Sequence, residues 1–248
     1  MDETFKWMPK WIGKRYSRLW SIFKEDLFAY HEAKEELGEY TSNYLSEMKK
    51  SHSLYIFLRH GKKRMYRLVP PQLYIYSYAN KVKLNWLIQG RYANLILKFF
   101  RLLKDELEEN LLSLGIFGSV ARGEAKKESD IDLFIIVNEL NMSLLERTKY
   151  LLNIKRKDSI EKELEFLSDC EIYPKLNFFM RQKNELKLNF FTIDISFDIK
   201  TVYDKGILRT FLEKIQKKIE EKDIKRKYLD NGKYYLDLNI EFGEIFEF

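Results

Sequence analysis

The chain has 248 residues, 45% hydrophobic and 33% charged, with only 4 Pro and 10 Gly. That suits one large or two modest folded domains and excludes collagen-like, disulfide-scaffold and low-complexity classes. The single Cys170 leaves no partner for a disulfide or a thiolate zinc cluster, no apolar run approaches the ~20 residues of a membrane helix, and a cytoplasmic chain is expected. The net charge of +6 is uneven: residues 1–71 hold 14 Lys/Arg against 9 Asp/Glu, leaving 30 against 29 beyond them. The N-terminal part is therefore the one suited to meet a polyanion.

In chain order, Tyr16, Leu19, Trp20 and Phe23 follow helical spacing, as do Ala29, Ala33 and Leu37. Gly38 breaks the second helix. Thr41 or Ser42 is placed to cap a third, whose inward face is Leu45 and Met48. Two β-prone runs, 54–59 and 65–69, flank a Gly-containing basic turn at 60–64, and Pro70-Pro71 closes the unit. Three short helices followed by a basic hairpin resemble a winged helix-turn-helix domain over roughly residues 10–71. The resemblance implies a third helix for a nucleic-acid groove and a wing whose Arg59, Lys62, Lys63, Arg64 and Arg67 contact phosphate. The other reading of the unit is a dimerisation or protein-contact device.

Residues 91–112 carry the longest helical pattern, with Leu95, Phe99, Leu102, Leu103 and Leu107 inward. It leads into residues 114–137, which read strand, tight loop, strand. In the second strand the period of two puts Asp130 and Asp132 on one face and Ile131 and Leu133 on the other. Two carboxylates so close repel unless a cation sits between them, and hard, oxygen-seeking magnesium is the natural one. Upstream, Gly118 lets a phosphate chain approach the backbone, Ser119 offers a hydroxyl donor, and Arg122 adds a cation.

A strand ending in Gly118-Ser119, then Ala121-Arg122-Gly123, then Ser129-Asp130-Ile131-Asp132-Leu133 resembles the signature of the polymerase-beta-like nucleotidyltransferase superfamily, especially its minimal members. The resemblance implies an α+β fold: an N-terminal winged-helix domain (1–71), then a nucleotidyltransferase domain (72–248) with a mixed sheet packed on helices. It also implies that Gly118 and Ser119 hold a nucleoside triphosphate while Asp130 and Asp132 hold two magnesium ions. A nucleoside monophosphate then passes to a hydroxyl of an RNA end, a protein or a small molecule. Toxin-antitoxin partners belong to this range. The alternative is a DNA-binding regulator or antitoxin whose degenerate transferase domain only senses a nucleotide.

The family's third carboxylate has two possible places. Residues 191–198 alternate strictly, and as a strand would offer Asp194. The same stretch also fits a buried helical face; the third strand is then 176–180 and the slot falls on Asn177 or Lys175. The second arrangement is preferred, because Thr201-Val-Tyr-Asp204 resembles the segment that follows such a helix in minimal members. Residues 207–220 read as an amphipathic helix, and 234–238 as a short strand after an Asn231-Gly232 turn, followed by an aromatic tail to Phe248. His31, His52 and His60 show no ligand spacing.

Overall fold

A computed structural model describes residues 7–230 and 234–240. The N-terminal unit runs α1 (Lys10–Phe23), β1 (Phe28–Ala29), α2 (Tyr30–Leu37), α3 (Thr41–Lys50), β2 (Leu54–His60) and β3 (Lys63–Leu68). The three helices and the hairpin follow the sequence pattern, and β1 adds a third strand in the order β1-β3-β2, all antiparallel. The cap assignment needs correction. Tyr40 precedes α3 without a side-chain cap, and the Thr41 hydroxyl instead donates to the Gly38 carbonyl. The hairpin turn is tighter than 60–64, since His60 already pairs with Lys63.

Next come α4 (Pro71–Ala79), α5 (Ala93–Leu107), β4 (Leu111–Phe117), α6 (Gly118–Arg122) and β5 (Ile131–Val137). The long helix stops at Leu107 rather than 112, and Leu111 already pairs with Val137 in the sheet. The loop between β4 and β5 opens with one helical turn, α6. The remaining elements are α7 (Leu144–Lys155), α8 (Asp158–Asp169), β6 (Leu176–Gln182), α9 (Phe190–Ser196), β7 (Lys200–Asp204), α10 (Ile207–Glu221), β8 (Lys225–Tyr228) and β9 (Tyr234–Asp237). The terminal strand is thus present as β9, while the Asn231-Gly232 turn and the tail 241–248 lie outside the described residues.

The central sheet has the order β6-β5-β4-β7, with β5 and β6 parallel and the other pairs antiparallel. β5, one of its two inner strands, is covered on both sides, which is why 133–137 reads as a continuous apolar run. Ile131, Leu133, Ile135 and Val137 join the large cluster that contains α5, where Phe99 stacks on Phe178 at 5.3 Å. Phe134 and Ile136 join a second cluster with Ile195, Ile199 and Leu208 from the α9–α10 side. By alternation Asp132 shares that second face, at the strand end where the apolar cover stops. Asp204 closes β7 by accepting N–H bonds from Leu208 (3.0 Å) and Arg209 (3.1 Å), so it caps α10.

The N-terminal unit shares the larger cluster without a break: Tyr16, Phe28, Leu54 and Leu68 pack in one core with Leu95, Phe99 and Leu103. Gly90 allows the backbone before α5 to lie directly on β2, since a Cβ there would stand 2.5 Å from the Ile56 carbonyl oxygen. A buried ion cluster reinforces the contact. Arg67 donates from Nε to the Glu25 carbonyl at 2.7 Å and pairs through both terminal nitrogens with Glu163 of α8, while Lys98 of α5 reaches both Glu25 and Glu163 at 2.7 Å. Arg67 is 4% exposed and its guanidinium lies 3.7 Å from the centre of the Phe166 ring. Its assignment as a phosphate contact is therefore corrected: every donor face is committed inside the fold. Among the described residues no helix is long and apolar enough to cross a membrane.

Candidate active site

At one end of the central sheet, β4 runs into Gly118 and β5 begins beside Asp130, so the Gly-Ser turn and the two aspartates face each other across a strand pair. They line a cleft of ≈ 360 Å3 together with Arg122, Asp194, Asp198, Arg226 and Tyr234. Gly118 has φ +73°, and a Cβ on it would sit 2.5 Å from Asp132 Oδ2. The glycine was expected for close approach of a phosphate; here it also makes room for the neighbouring carboxylate. Ser119 follows in the first turn of α6, where backbone N–H groups have no intrahelical partner.

Burial raises the Asp132 carboxyl above the usual range, and the Asp130 charge adds to this, while Asn177 and Arg122 work the other way. The pair is held by an amide and not by a cationic side chain. Asn177 is paired with Asp132 across β5 and β6, and its Nδ2 donates to Asp130 Oδ2 at 3.0 Å and Asp132 Oδ1 at 3.1 Å. The third strand and its slot therefore fall where the second arrangement puts them, with Asn177 in the slot and Lys175 exposed. Among the described residues no group of three His, Cys, Asp or Glu side chains is placed to share a metal ion.

Asp194 enters the cleft by another route. Residues 190–196 are helical because Asn189 caps them: its Oδ1 accepts from the Thr192 N–H (2.9 Å) and Thr192 Oγ1 accepts from the Asn189 N–H (3.0 Å). That Asn-x-x-Thr spacing was the available signal against the strand. Arg226 of β8 donates to the Asp194 carboxylate (2.9 Å) and to Asp198 (2.7 Å), and Tyr234 of β9 donates to Asp194 at 3.3 Å. Asp198 also accepts from Arg122 at 2.6 Å, and Arg122 holds Glu124 as well (2.8 Å). Burial opposes the Arg122 charge, yet these two carboxylates raise its pKa further. The cation expected near the triphosphate is thus on the cleft wall with protein partners of its own. Asp198, Arg226 and Tyr234 were not singled out from sequence, since only the fold brings β8 and β9 to α9.

The hairpin cations Arg59, Lys62, Lys63 and Arg64 are all exposed, and none joins an ion pair among the described residues. Arg59 stands directly opposite Arg64, and His60 opposite Lys63. The two arginines put like charges opposite each other across this strand pair, an unfavourable arrangement in isolation. Lys49 at the end of α3 has its pKa lowered by burial and then by Arg64 and Arg59.

The sheet sets a Gly-Ser turn against Asp132 of β5 and Asp130 just ahead of that strand, and the chain is a nucleotidyltransferase by a family match that covers this turn and both aspartates. The nucleotidyltransferase domain model matches residues 98–235, more than half the chain, and the chain belongs to that family. A curated relative from Methanocaldococcus jannaschii, named "Putative protein adenylyltransferase", is 36% identical over 61 residues, which span 25% of this chain and 42% of that relative. The match therefore covers less than half of the relative's length. Among solved structures, a toxin-antitoxin with AMP-PNP covers 50% of this chain and 86% of its own at 14% identity and TM-score 0.31. Spectinomycin adenyltransferase AAD(9) from Enterococcus faecialis with ATP and spectinomycin covers 52% and 66%, at 14% identity and TM-score 0.35. Likeness at that level carries nothing about substrate.

Proposed function

We propose that the chain transfers AMP from ATP to a hydroxyl group of a protein acceptor. The observation that carries the transfer is the meeting of Gly118, Asp130 and Asp132 in one cleft; ATP and a protein acceptor are suggested by the name of the Methanocaldococcus relative. The acceptor hydroxyl oxygen bonds to the α-phosphorus as its proton is released to water, the bond from that phosphorus to the oxygen bridging the β-phosphate breaks, and pyrophosphate leaves. The chain contributes positioning: Gly118 admits the phosphates to the backbone, and the N–H groups and hydroxyl of the Ser119 turn donate to them.

The donor set fits magnesium. Two hard carboxylates open to the cleft, and burial together with mutual repulsion makes their charge costly without a cation. Asp130 and Asp132 would hold it, and it would neutralise charge on the triphosphate and on leaving pyrophosphate. The N-terminal unit, proposed as a winged helix over residues 1–71 ahead of the transferase domain, would use Arg59, Lys62, Lys63 and Arg64 for a polyanion, a reading supported by their exposure and facing like charges.

A second reading, a regulator whose transferase domain senses nucleotide without turning it over, is favoured by the neutral Asn177 beside the aspartates. Incubating the chain with α-labelled ATP, magnesium and extract of its own cells separates the two. Label in a protein band, lost in Asp130→Asn/Asp132→Asn, is expected. Nucleotide binding with no labelled macromolecule or metabolite would favour the sensor.

A further inference from the structure

Asn177 does more than fill space beside Asp132. An amide NH2 has two N–H donors, and here each is used on a different carboxylate, Asp130 Oδ2 at 3.0 Å and Asp132 Oδ1 at 3.1 Å. Only the nitrogen end of the amide can face both anions favourably, so the orientation is fixed by charge. Two carboxylate oxygens remain, Asp130 Oδ1 and Asp132 Oδ2. The latter is turned toward Gly118, where a Cβ would come within 2.5 Å of it.

Magnesium takes six oxygens in near-octahedral geometry and is usually bound through one or two carboxylates, with water and phosphate oxygens completing the shell. The two oxygens that accept no N–H bond from Asn177 supply the protein share of one ion, while at the other two the amide N–H competes with a second ion for the oxygen. Two ions held side by side would need bridging or additional anionic ligands. Asp194 and Asp198, the other carboxylates of the cleft, are engaged by Arg226 and Arg122. Beside Asp132 on the remaining side stands the neutral amide.

We infer that Asn177 is a positioning residue that shapes the aspartate pair for a single divalent ion, taken up with the nucleotide on the Gly118 side of the site. This rests on the nucleotide-site reading above. Two consequences follow from the geometry. Without nucleotide the chain holds divalent ions weakly, because phosphate oxygens are part of the shell. An acidic residue at 177 would convert the amide lock into a third ligand and create a second ion position.

Counting manganese, a spectroscopic stand-in for magnesium, tests this without any turnover. The chain is kept in excess over a non-hydrolysable ATP analogue, and bound Mn2+ is read from the loss of the free-ion paramagnetic resonance signal. One Mn2+ per bound analogue is expected for the unaltered chain. Asn177→Asp is expected to hold two, and to bind Mn2+ without nucleotide at least about tenfold more tightly than the parent. Two ions per analogue in the unaltered chain would overturn the inference whatever the variant does. A cooperatively melting Asn177→Asp chain that still holds one would overturn the role given to Asn177. Absence of any Mn2+-dependent analogue binding by the unaltered chain, a different result, would overturn the nucleotide site itself.

Discussion

Glu163 and the Asp130/Asp132 pair are all carboxylates withdrawn from water, and they are treated in opposite ways. The Glu163 side chain has no exposed surface, and Arg67 and Lys98 surround it with positive charge. The aspartates are half-buried with only an amide between them. Desolvating a charge is costly, and the fold compensates it internally at Glu163. At the aspartates the compensation is left open, in a cleft that reaches solvent. A carboxylate neutralised by the chain holds structure together, while a pair left short of positive charge is disposed to take a cation with its ligand.

Breaking the closed case has the largest expected effect. Arg67→Met removes the bidentate partner of Glu163 and leaves a buried carboxylate facing Lys98 alone. Unfolding in urea should show a loss of ~3–5 kcal/mol, the range for breaking one side of a buried ion pair. A loss under ~1 kcal/mol would mean that Lys98 suffices and that the cluster is no anchor between the N-terminal unit and α8.

Gly118→Ala comes next. A non-glycine residue at φ +73° costs ~1–2 kcal/mol, and the added methyl would also push on Asp132 Oδ2. Stability should fall by about that amount while magnesium-dependent triphosphate binding falls much more, because the carboxylate must move. Equal, small losses in both, measured by calorimetry, would separate Gly118 from the site.

Asp132→Asn should act in the reverse sense on stability. Burial first, and then the Asp130 charge, penalise the Asp132 carboxylate, so removing its charge should raise the melting temperature slightly at neutral pH, a gain of ~0.5–1 kcal/mol. Metal-dependent triphosphate binding should disappear in the same variant. A destabilised Asp132→Asn chain would show that the pair is structural, like Glu163.

The difference in legibility between these residues has a physical origin. The placement of Asp130 and Asp132 side by side was readable because it depends on a period of two and on neighbours within a few residues. Arg67 was misread: in sequence it is one more cation of a basic hairpin, and the carboxylate that buries it lies 96 positions away. Residues 191–198 satisfied two periods at once, and the Asn189 cap decided for helix. Asp198, Arg226 and Tyr234 converge only through tertiary packing, which no local pattern encodes. The α7 helix had its own unused signal, a capping box from Ser143 to Glu146.

The smallest effect on stability, and the sharpest contrast with Arg67, is expected from the exposed cations of the same hairpin. Lys62, Lys63 and Arg64 join no ion pair among the described residues, and Arg64 faces Arg59 across the strands. Changing all three to Ala removes exposed, solvent-screened charges and no packing, so the melting curve should stay within about 0.5 kcal/mol of the parent. If the three neutralise phosphates, each lost contact lowers the salt slope of nucleic-acid binding by ~0.7–0.9, for single and double strands respectively, and the triple variant should lose about 2 to 3 units. Fluorescence anisotropy of mixed-sequence duplex and RNA across a salt series gives that slope, and manganese-dependent nucleotide binding at Asp130 and Asp132 should be unaffected. Salt-independent behaviour, or no binding by the unaltered chain, would make the hairpin a protein-contact surface; the facing arginines would then be expected to meet carboxylates of a partner.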